Sequence, residues 1–349
     1  MNYKLRTNKA FTLIELLVAI GILAVMLSFV SVIFKVSIGA FRTAIANAEI
    51  MQKLRAITNQ LNTDFKGLRK DGEIFVVWVA AQKPNTNPTD PHSYERFDRI
   101  MFFADGDFQS YGANPIIRGN TARICYMLAK RGNFKAQGQD RTKRVLARSL
   151  HISTADPGLA DFLDPNSFSD AQWYEWNNRY EYDKISLEGW KNIAWDNKMN
   201  MLSAMSDIQV GTSSVSEAIR GVAVEPADPN SIHMLLCEGV GELKIQGWYD
   251  YDAQQRWVPE VDPDGDGDLA DTHFFLTEPN RVPGVLYPYP PYGLVNMNTI
   301  NYPRTQLDEA HFNNIPGLGR ALKFTFTLFD SKGIIKKGMT FTHIVDLDK

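Results

Sequence analysis

The sequence lacks the residue patterns that carry most enzyme chemistry. Its 349 residues include two cysteines and six histidines. Neither type occurs in a CxxC or HExxH spacing, so zinc, thioredoxin-like and metalloprotease sites have no basis in the sequence. There is also no GxSxG elbow and no glycine-rich phosphate loop in a strand-turn-helix context. A membrane-anchored enzyme would need an active site that is not displayed, and we therefore expect a protein that is not an enzyme.

An excess of charge of one sign is also missing. The formal net charge is −3, with 22% charged and 44% hydrophobic residues. Nucleic-acid binding needs a basic patch or stripe, so we expect no nucleic-acid partner. The composition is that of an ordinary globular protein, long enough for one large domain or two modest ones.

The two cysteines, Cys125 and Cys237, both lie in apolar stretches. We expect them to be buried as small hydrophobic side chains. An oxidising compartment would also permit a disulfide between them, and the sequence leaves open whether they are adjacent.

One long apolar run stands near the start of the chain. Residues 1–10 contain three basic residues and no acid, and residues 11–34 then contain a single charged residue, Glu15. As a helix, residues 11–34 would be roughly 36 Å long, enough to cross a bilayer core of about 30 Å. The basic residues before the run predict a cytoplasmic N-terminus and a translocated remainder.

Glu15 distinguishes this run from an ordinary anchor. The Leu, Ile, Val and Phe residues contribute roughly −5 to −10 kcal/mol to insertion, against about +3 kcal/mol for a central charge, so the run inserts despite Glu15. A cleaved secretory signal would have a shorter apolar core followed by a small-residue cut site. A plain anchor would leave Glu15 without a role, although an ionisable group inside a membrane helix usually has one.

The stretch KAFTLIELLVAIGIL, residues 9–23, resembles the class III signal of type IV pilins and pseudopilins. That signal has a short basic leader, a small residue, then Phe and an apolar helix with glutamate at the fifth mature position. The resemblance implies cleavage by a prepilin peptidase between Ala10 and Phe11, then N-methylation of the Phe11 amine. Ala10 stands where the family usually has glycine. In a filament, the Phe11 ammonium of one subunit would pair with Glu15 of its neighbour and fix the axial register of the helices.

Residues 35–71 are expected to continue the helix with an amphipathic face. Their apolar residues recur every three or four positions, which predicts one stripe packed against a sheet. A glycine after two charged residues predicts an end near Lys70–Gly72, and Gly39 is a candidate bend. The stripe comprises Phe41, Ala44, Ala48, Met51, Leu54, Ile57, Leu61, Phe65 and Leu68.

Beyond residue 72 the pattern changes to short strands with turn residues between them. A turn at 330–333 predicts that the last two strands form a hairpin. We therefore expect an α+β fold, in which a long N-terminal membrane-spanning helix packs against antiparallel sheets, as in pilins. The strands are predicted over 73–81, 98–105, 122–130, 145–152, 231–250, 320–330 and 333–345. The predicted organisation is a leader (1–10), a transmembrane helix (11–34), its amphipathic continuation (35–71) and a periplasmic globular domain (72–349).

Several short blocks resemble the J-type minor pseudopilin of type II secretion. They lie at Leu61–Leu68, Asp98–Phe102, Tyr126–Leu128, Leu146–Ser149, Gly239–Trp257 and Ala321–Gly333. The resemblance implies a structural subunit at the tip of a periplasmic pseudopilus, anchored in the inner membrane. Its partners would be other major and minor pseudopilins, the prepilin peptidase and the assembly platform, with a secreted substrate or the secretin as further candidates. A W-like minor type IV pilin is the alternative.

Two stretches look inserted relative to such proteins, near 155–229 and 259–316. The first contains four tryptophans (Trp173, Trp176, Trp190 and Trp195), which either cap a helical insertion on the core or stack on a sugar or partner. The second is proline-rich and is expected to form an extended surface loop.

The second inserted stretch also contains a run of alternating aspartates, DPDGDGDLAD. Carboxylates alternating on a glycine-bearing turn are what Ca²⁺ requires, and the first half matches an EF-hand loop. His273 occupies the twelfth position, where a bidentate glutamate is expected, so a solvated loop without metal is the alternative. The candidate calcium ligands are Asp262, Asp264, Asp266, Asp268 and Asp271.

Overall fold

The fold is known from a computed structural model of the chain. It describes residues 12–69, 74–77, 80–82, 94–111, 116–131, 144–159, 180–193, 223–224, 234–251, 254–258, 285–286 and 321–347. Within these ranges, a long N-terminal helix is followed by β-strands that pair mainly antiparallel, which confirms the predicted α+β class.

There are two helices in the described ranges, α1 (Leu13–Lys66) and α2 (Leu187–Lys191). The strands are β1 (Phe75–Val77), β2 (Ala80–Gln82), β3 (Tyr94–Arg96), β4 (Arg99–Gln109), β5 (Arg118–Arg131), β6 (Val145–Ser153), β7 (Tyr182–Asp183), β8 (Ala223–Val224), β9 (Leu235–Glu238), β10 (Val240–Tyr251), β11 (Gln254–Val258), β12 (Val285–Leu286), β13 (Ala321–Leu328) and β14 (Met339–Asp346). We call the strands and α2 together the head.

The strands form three sheets. The seven-stranded sheet runs β1-β4-β5-β6-β7, with β8 beside β5 and β9 beside β6. The four-stranded sheet runs β11-β10-β13-β14, and a small sheet contains β12, β2 and β3. Two short pairings, β5 with β8 and β6 with β7, are parallel, so the sheets are not wholly antiparallel.

Helix α1 ends earlier than the sequence predicted, and the expected end near Lys70–Gly72 is wrong. Gly67 caps the helix, with its N–H 3.2 Å from the Asp64 carbonyl oxygen. A Cβ at Gly67 would lie 2.0 Å from the carbonyl oxygen of Asp105. The chain turns there because residues 67–69 pair with the backbone of β4, which replaces the next helical turn. Helix α1 runs unbroken through Gly39, where the sequence suggested a bend.

The predicted apolar stripe of α1 is correct only in its last part. Ile57, Leu61 and Phe65 are buried against the head, and Leu54 and Leu68 are partly buried. Nearer the N-terminus the buried positions are Ala46 and Ile50, instead of the predicted Ala44, Ala48 and Met51. The head therefore contacts a face that begins at Ala46.

The predicted strands over 98–105, 122–130 and 145–152 are confirmed as β4, β5 and β6. The region 73–81 instead contributes to two sheets, through β1 and β2. The region 231–250 is divided into β9 and β10 by Gly239, whose φ of 78° is one that glycine adopts readily. Strands β13 and β14 do form a hairpin, but residues 329–338 separate them, because the turn at 330–333 leads into a further loop.

The two cysteines are buried and free. Cys125 pairs with Ser149 across β5 and β6, whereas Cys237 pairs with Leu146 across β9 and β6. Strands β5 and β9 thus flank β6. The Cα atoms of Cys125 and Cys237 are therefore separated by roughly 9 Å across the strands, and by a further three residues along them. A disulfide needs Cα atoms within about 7 Å, and this geometry does not allow one.

Of the four tryptophans in the first predicted insertion, the structure describes Trp190. It is 1% exposed on the short helix α2, with its ring edge-on to Phe103 at 5.6 Å. The guanidinium of Arg123 lies 5.6 Å from the centre of the same ring. For Trp190, the structure therefore agrees with the first of the two alternatives, a tryptophan that caps a helical insertion on the core. Trp173, Trp176 and Trp195 lie outside the described residues.

Candidate functional site

The N-terminal end of α1 is closed by Thr12 and Glu15. The Glu15 Oε2 atom accepts hydrogen bonds from the Thr12 backbone N–H and from its hydroxyl, both at 2.9 Å. The Thr12 hydroxyl in turn accepts from the Glu15 N–H at 3.3 Å. This reciprocal arrangement is a capping box, which satisfies two backbone donors of the first turn. Glu15 thus has a local structural role that the sequence analysis missed, although the Thr-x-x-Glu spacing could have revealed it.

The first half of α1 stands clear of the head. Every residue from Thr12 to Ile45 is exposed, a length of about 50 Å at 1.5 Å per residue. Helix α1 is also long and apolar enough to cross a membrane, and its most apolar stretch is not buried. A row of exposed Leu, Ile, Val and Phe side chains on this scale is unstable in water. It needs lipid or neighbouring helices around it.

A second apolar face of α1 continues beyond the membrane-length stretch. Phe41, Ala44, Ala48 and Met51 are exposed, with Phe41 at 68% and Met51 at 41%. At 3.6 residues per turn, these four residues lie on the side of α1 opposite the buried Ala46 face. The helix therefore offers one face to its own head and another to its surroundings.

The C-terminal end of α1 is fixed to the head by a buried carboxylate, Asp64. Its Oδ2 accepts from Arg148 Nε at 2.6 Å and its Oδ1 accepts from Arg148 Nη2 at 2.8 Å. The Tyr126 hydroxyl also donates to Oδ2, and Gln60 Nε2 donates to Oδ1 at 3.0 Å. Asp64 is 3% exposed. This cluster joins α1 to β5 and β6 through charge-assisted hydrogen bonds, which are stronger than neutral ones.

Burial and the contacts with Asp64 change the pKa values of Tyr126 and Arg148 in this cluster. Burial raises the pKa of the Tyr126 hydroxyl well above its usual value, and the Asp64 carboxylate adds to the effect. Burial acts to lower the pKa of Arg148, but the hydrogen bonds and charge of Asp64 more than offset it and leave the pKa raised. Tyr126 is therefore neutral and Arg148 is charged at neutral pH.

A second buried carboxylate, Asp98, connects two sheets. Arg96 Nε donates to Asp98 Oδ1 at 2.8 Å, and the two side chains are 4% and 0% exposed. The backbone N–H of Ile245 on β10 donates to Asp98 Oδ2 at 2.7 Å. The Asp98 N–H donates in turn to the carbonyl of Leu243 at 2.9 Å. Asp98 thus ties the start of β4 to the four-stranded sheet.

The loop at 329–338 is held against α1 by a polar clamp. Glu49 accepts from the N–H and the hydroxyl of Ser331, at 2.9 and 3.1 Å. Lys53 forms an ion pair with Glu49 at 2.8 Å and donates to the Phe329 carbonyl, also at 2.8 Å. Burial acts to raise the pKa of Glu49, but its hydrogen bonds with Lys53 and Ser331 outweigh this and lower it. We call Glu49, Lys53 and Ser331 the loop clamp.

Most of the predicted site residues fall outside the described part of the chain. This holds for Ala10 and Phe11, so the cleavage site stays a prediction. It holds equally for the five aspartates Asp262, Asp264, Asp266, Asp268 and Asp271. Among the residues that the structure does describe, no group of three or more His, Cys, Asp or Glu side chains is arranged to hold a metal ion.

Comparison with known proteins gives one match. Residues 5–31 match the family model of the prokaryotic N-terminal methylation motif. No curated protein and no solved structure matches the chain. The matched residues lead into α1 and include Glu15, so motif and long apolar helix occur together, as they do in type IV pilin-like proteins. A prepilin-type motif implies processing by prepilin peptidase and assembly with other pilin-like subunits.

Proposed function

We propose that this protein is a minor pseudopilin, a structural subunit of the periplasmic pseudopilus of a type II secretion system. The observation that carries the proposal is the methylation motif at the start of an apolar helix. The N-terminal half of this helix, from Thr12 to Ile45, is exposed throughout. Before assembly, the bilayer would cover the apolar run of α1 up to residue 34, with the N-terminus in the cytoplasm and the head in the periplasm. After assembly, the helices of neighbouring subunits would cover it.

Glu15 is proposed to act when the subunit leaves the membrane and joins the filament. Cleavage after Ala10 would create an amine at Phe11, one residue before the Thr12 cap. A carboxylate can accept about four hydrogen bonds, and the two from Thr12 both go to Oε2, so the capping box leaves capacity for a further donor. An ammonium from a neighbouring subunit could bind there. In a low-dielectric bundle this pairing would favour one axial register.

The outward face formed by Phe41, Ala44, Ala48 and Met51 supports assembly through helix packing. Two of its four residues are alanines, which let helix backbones approach closely. The face lies beyond the membrane-length stretch and away from the head, where a neighbouring subunit's helix would lie in a bundle.

The J-type assignment, with a position near the tip, rests on the order of the sequence blocks. The structure adds that three of these blocks meet, since Asp64, Tyr126 and Arg148 come from separate ones. A minor type IV pilin with a W-like role is the second candidate, because it would share the motif and the helix. In either case the protein would act as a subunit and would not be an enzyme, with Ca²⁺ at the aspartate run as the one ligand proposed.

The test is assembly of the full-length chain with its secretion machinery. We expect Glu15→Leu to insert into the membrane normally and to be cleaved, but to lose at least about tenfold in cross-linking to other pseudopilins. Glu188→Leu, which removes an exposed carboxylate from α2 of the head, is the control and should assemble normally. Normal cross-linking of Glu15→Leu would contradict the proposed pairing. Secretion that continues unchanged when the gene is deleted, with loss of pili instead, would favour the minor pilin.

A further inference from the structure

Within the described ranges, strand β14 is an edge of the four-stranded sheet. It pairs with β13 through eight consecutive residues without a bulge, and within the described ranges it pairs with no other strand. Its central sequence, from Met339 to Val345, contains no proline, lysine, arginine or acid. Natural proteins usually protect an edge strand by shortening it, bulging it or placing charges along it. None of these three devices is present between Met339 and Val345. Helix α1 lies beside the strand, where Asn62 Oδ1 is 2.9 Å from His343 Nε2.

A groove runs between the end of this edge and the end of α1. Its volume is about 490 Å³, within the range of small-ligand and peptide sites. Helix α1 contributes Asn62, Phe65 and Lys66, the segment after it contributes Leu68, and the chain from β14 contributes residues 344–347. Buried apolar side chains form the floor, and Ile344, which is 53% exposed, lies at the rim. A groove between an edge strand and a helix is the arrangement in which PDZ and PTB domains add a peptide as an extra strand.

The charges around the edge are basic. Lys336 and Lys337 precede β14, and Lys66 lies beside its far end. All three are exposed, and none takes part in the ion pairs found between described residues. The only acid of β14, Asp346, lines the groove together with Lys66 and has an interaction of its own, so the three lysines outnumber it. Among the described residues, lysines without an ion pair thus lie at both ends of an uncharged edge, and they complement an extended segment with acidic ends.

The site lies at the end of the head that is remote from the apolar run. Asn62 and Leu68 follow the apolar stretch 11–34 by at least 28 residues of sequence, or about 40 Å of helix. A partner at this groove would not compete with helix packing along the first half of α1.

We propose that the open edge of β14, together with this groove, binds an extended acidic segment of a partner protein, which adds to the four-stranded sheet as a fifth strand. Main-chain hydrogen bonds to β14 would supply affinity, Phe65 and Leu68 would contact alternate apolar side chains, and the three lysines would contact carboxylates near the ends of the segment. This docking site does not depend on the pairing of Glu15 with Phe11.

The probe is a fluorescein-labelled peptide, Glu-Val-Thr-Val-Thr-Val-Glu, added to the full-length chain in nanodiscs and followed by fluorescence anisotropy. In a strand, alternate N–H groups point to opposite sides. We therefore use one peptide N-methylated at the three valines and another N-methylated at the two threonines. The two should differ in their affinity for the protein. We expect one to bind like the parent and the other to bind at least about tenfold more weakly. Equal binding by both, or no binding of the parent, would overturn the proposal.

Two protein variants test the charge argument. Lys66→Glu should weaken binding of the acidic peptide by about fivefold and improve binding of a version with lysine at both ends. Lys191→Glu, on α2, is the matched control and should bind like the unaltered chain. Unchanged affinity of Lys66→Glu for both peptides would contradict the acidic partner. If Thr342→Cys instead cross-links two copies and excludes the peptide, the occupant is a second copy and the proposal fails.

Discussion

Arg148 on β6 donates hydrogen bonds to both carboxylate oxygens of Asp64 on α1, at 2.6 and 2.8 Å. The two residues are 84 positions apart in sequence. Asp64 is the only carboxylate among the buried residues of α1, and it lies two residues before the helix ends. The bidentate pair therefore determines how the last turn of the long helix sits on the head. The pair adds a charged contact at the end of α1 to the apolar contacts that Ala46, Ile50 and Ile57 make with the head.

We predict that Asp64→Ala destabilises the head strongly. The substitution leaves the Arg148 guanidinium, 18% exposed, without its bidentate partner, which typically costs about 3–5 kcal/mol for a buried pair. The free energy of unfolding can be measured by chemical denaturation of the detergent-solubilised chain, followed by tryptophan fluorescence. Lys191→Ala removes an exposed ion pair and should cost less than about 1 kcal/mol.

The double variant Asp64→Leu with Arg148→Met gives the matched comparison. Replacing both members of a buried pair by apolar residues of similar size should recover much of the lost stability. If Asp64→Ala were no more destabilising than Lys191→Ala, the Asp64 cluster would not stabilise the contact between α1 and the head.

We predict that acid releases the loop at 329–338 before the head unfolds. The pKa of Glu49 is lowered in the fold, and that of Asp330 is lowered by the backbone N–H groups of Ile335 and Ile334 against the opposing effect of burial. A lowered pKa means stability that is present above the unfolded pKa, about 4.3 for Glu and 3.9 for Asp, and lost as the pH falls through the folded value. Hydrogen exchange at the Ser331 amide, corrected for its intrinsic rate, should therefore accelerate below about pH 4.

Glu49→Gln should release the same loop at neutral pH. It removes the charge that pairs with Lys53 and weakens the bonds to Ser331, so we expect about fivefold faster exchange at the Ser331 amide. Glu188→Gln, on α2, is the control and should leave that amide unchanged. Protection of Ser331 that is the same in both variants would show that the loop clamp does not hold the loop.

We predict that neither cysteine reacts with a maleimide in the folded protein. Burial raises the pKa of the Cys125 thiol to about 12 and that of Cys237 to about 11, so neither forms appreciable thiolate at pH 8. Both should label after denaturation without a reductant, because they are not bridged. Thr340→Cys adds an exposed thiol as a control, which should label in the folded state. A denatured chain that labels only after reduction would reveal a disulfide and contradict the strand positions of the two residues.

Much of the fold could be predicted because its signals are local. The apolar run, the 3.6-residue spacing and the short apolar stretches of β4, β5 and β6 each depend on neighbours in sequence, and the structure confirms the elements they predict. The end of α1 could not be predicted in this way. Gly67 ends the helix because the backbone of Asp105 lies against it, and that contact belongs to the tertiary structure.

Tertiary contacts also explain why the buried face of α1 differs from the predicted apolar stripe. The sequence places apolar residues on two faces of the helix, and periodicity alone does not say which of them meets the head. Ala46 and Ile50 are buried because the head lies on that side, while Phe41 and Met51 point away from it. For the candidate site, sequence identified Glu15 through its unusual context but not its bond to Thr12. Asp64, Tyr126 and Arg148 appeared only as parts of separate blocks.

The account depends most on processing at the N-terminus, and mass spectrometry of the N-terminal peptide of the protein purified from its native membrane tests it directly. We predict a mature chain that begins at Phe11, with one added methyl group on the Phe11 amine. A chain that still begins at Met1 would contradict the account. Glu15 would then have no ammonium to meet in a neighbouring subunit, and α1 would serve as an anchor alone.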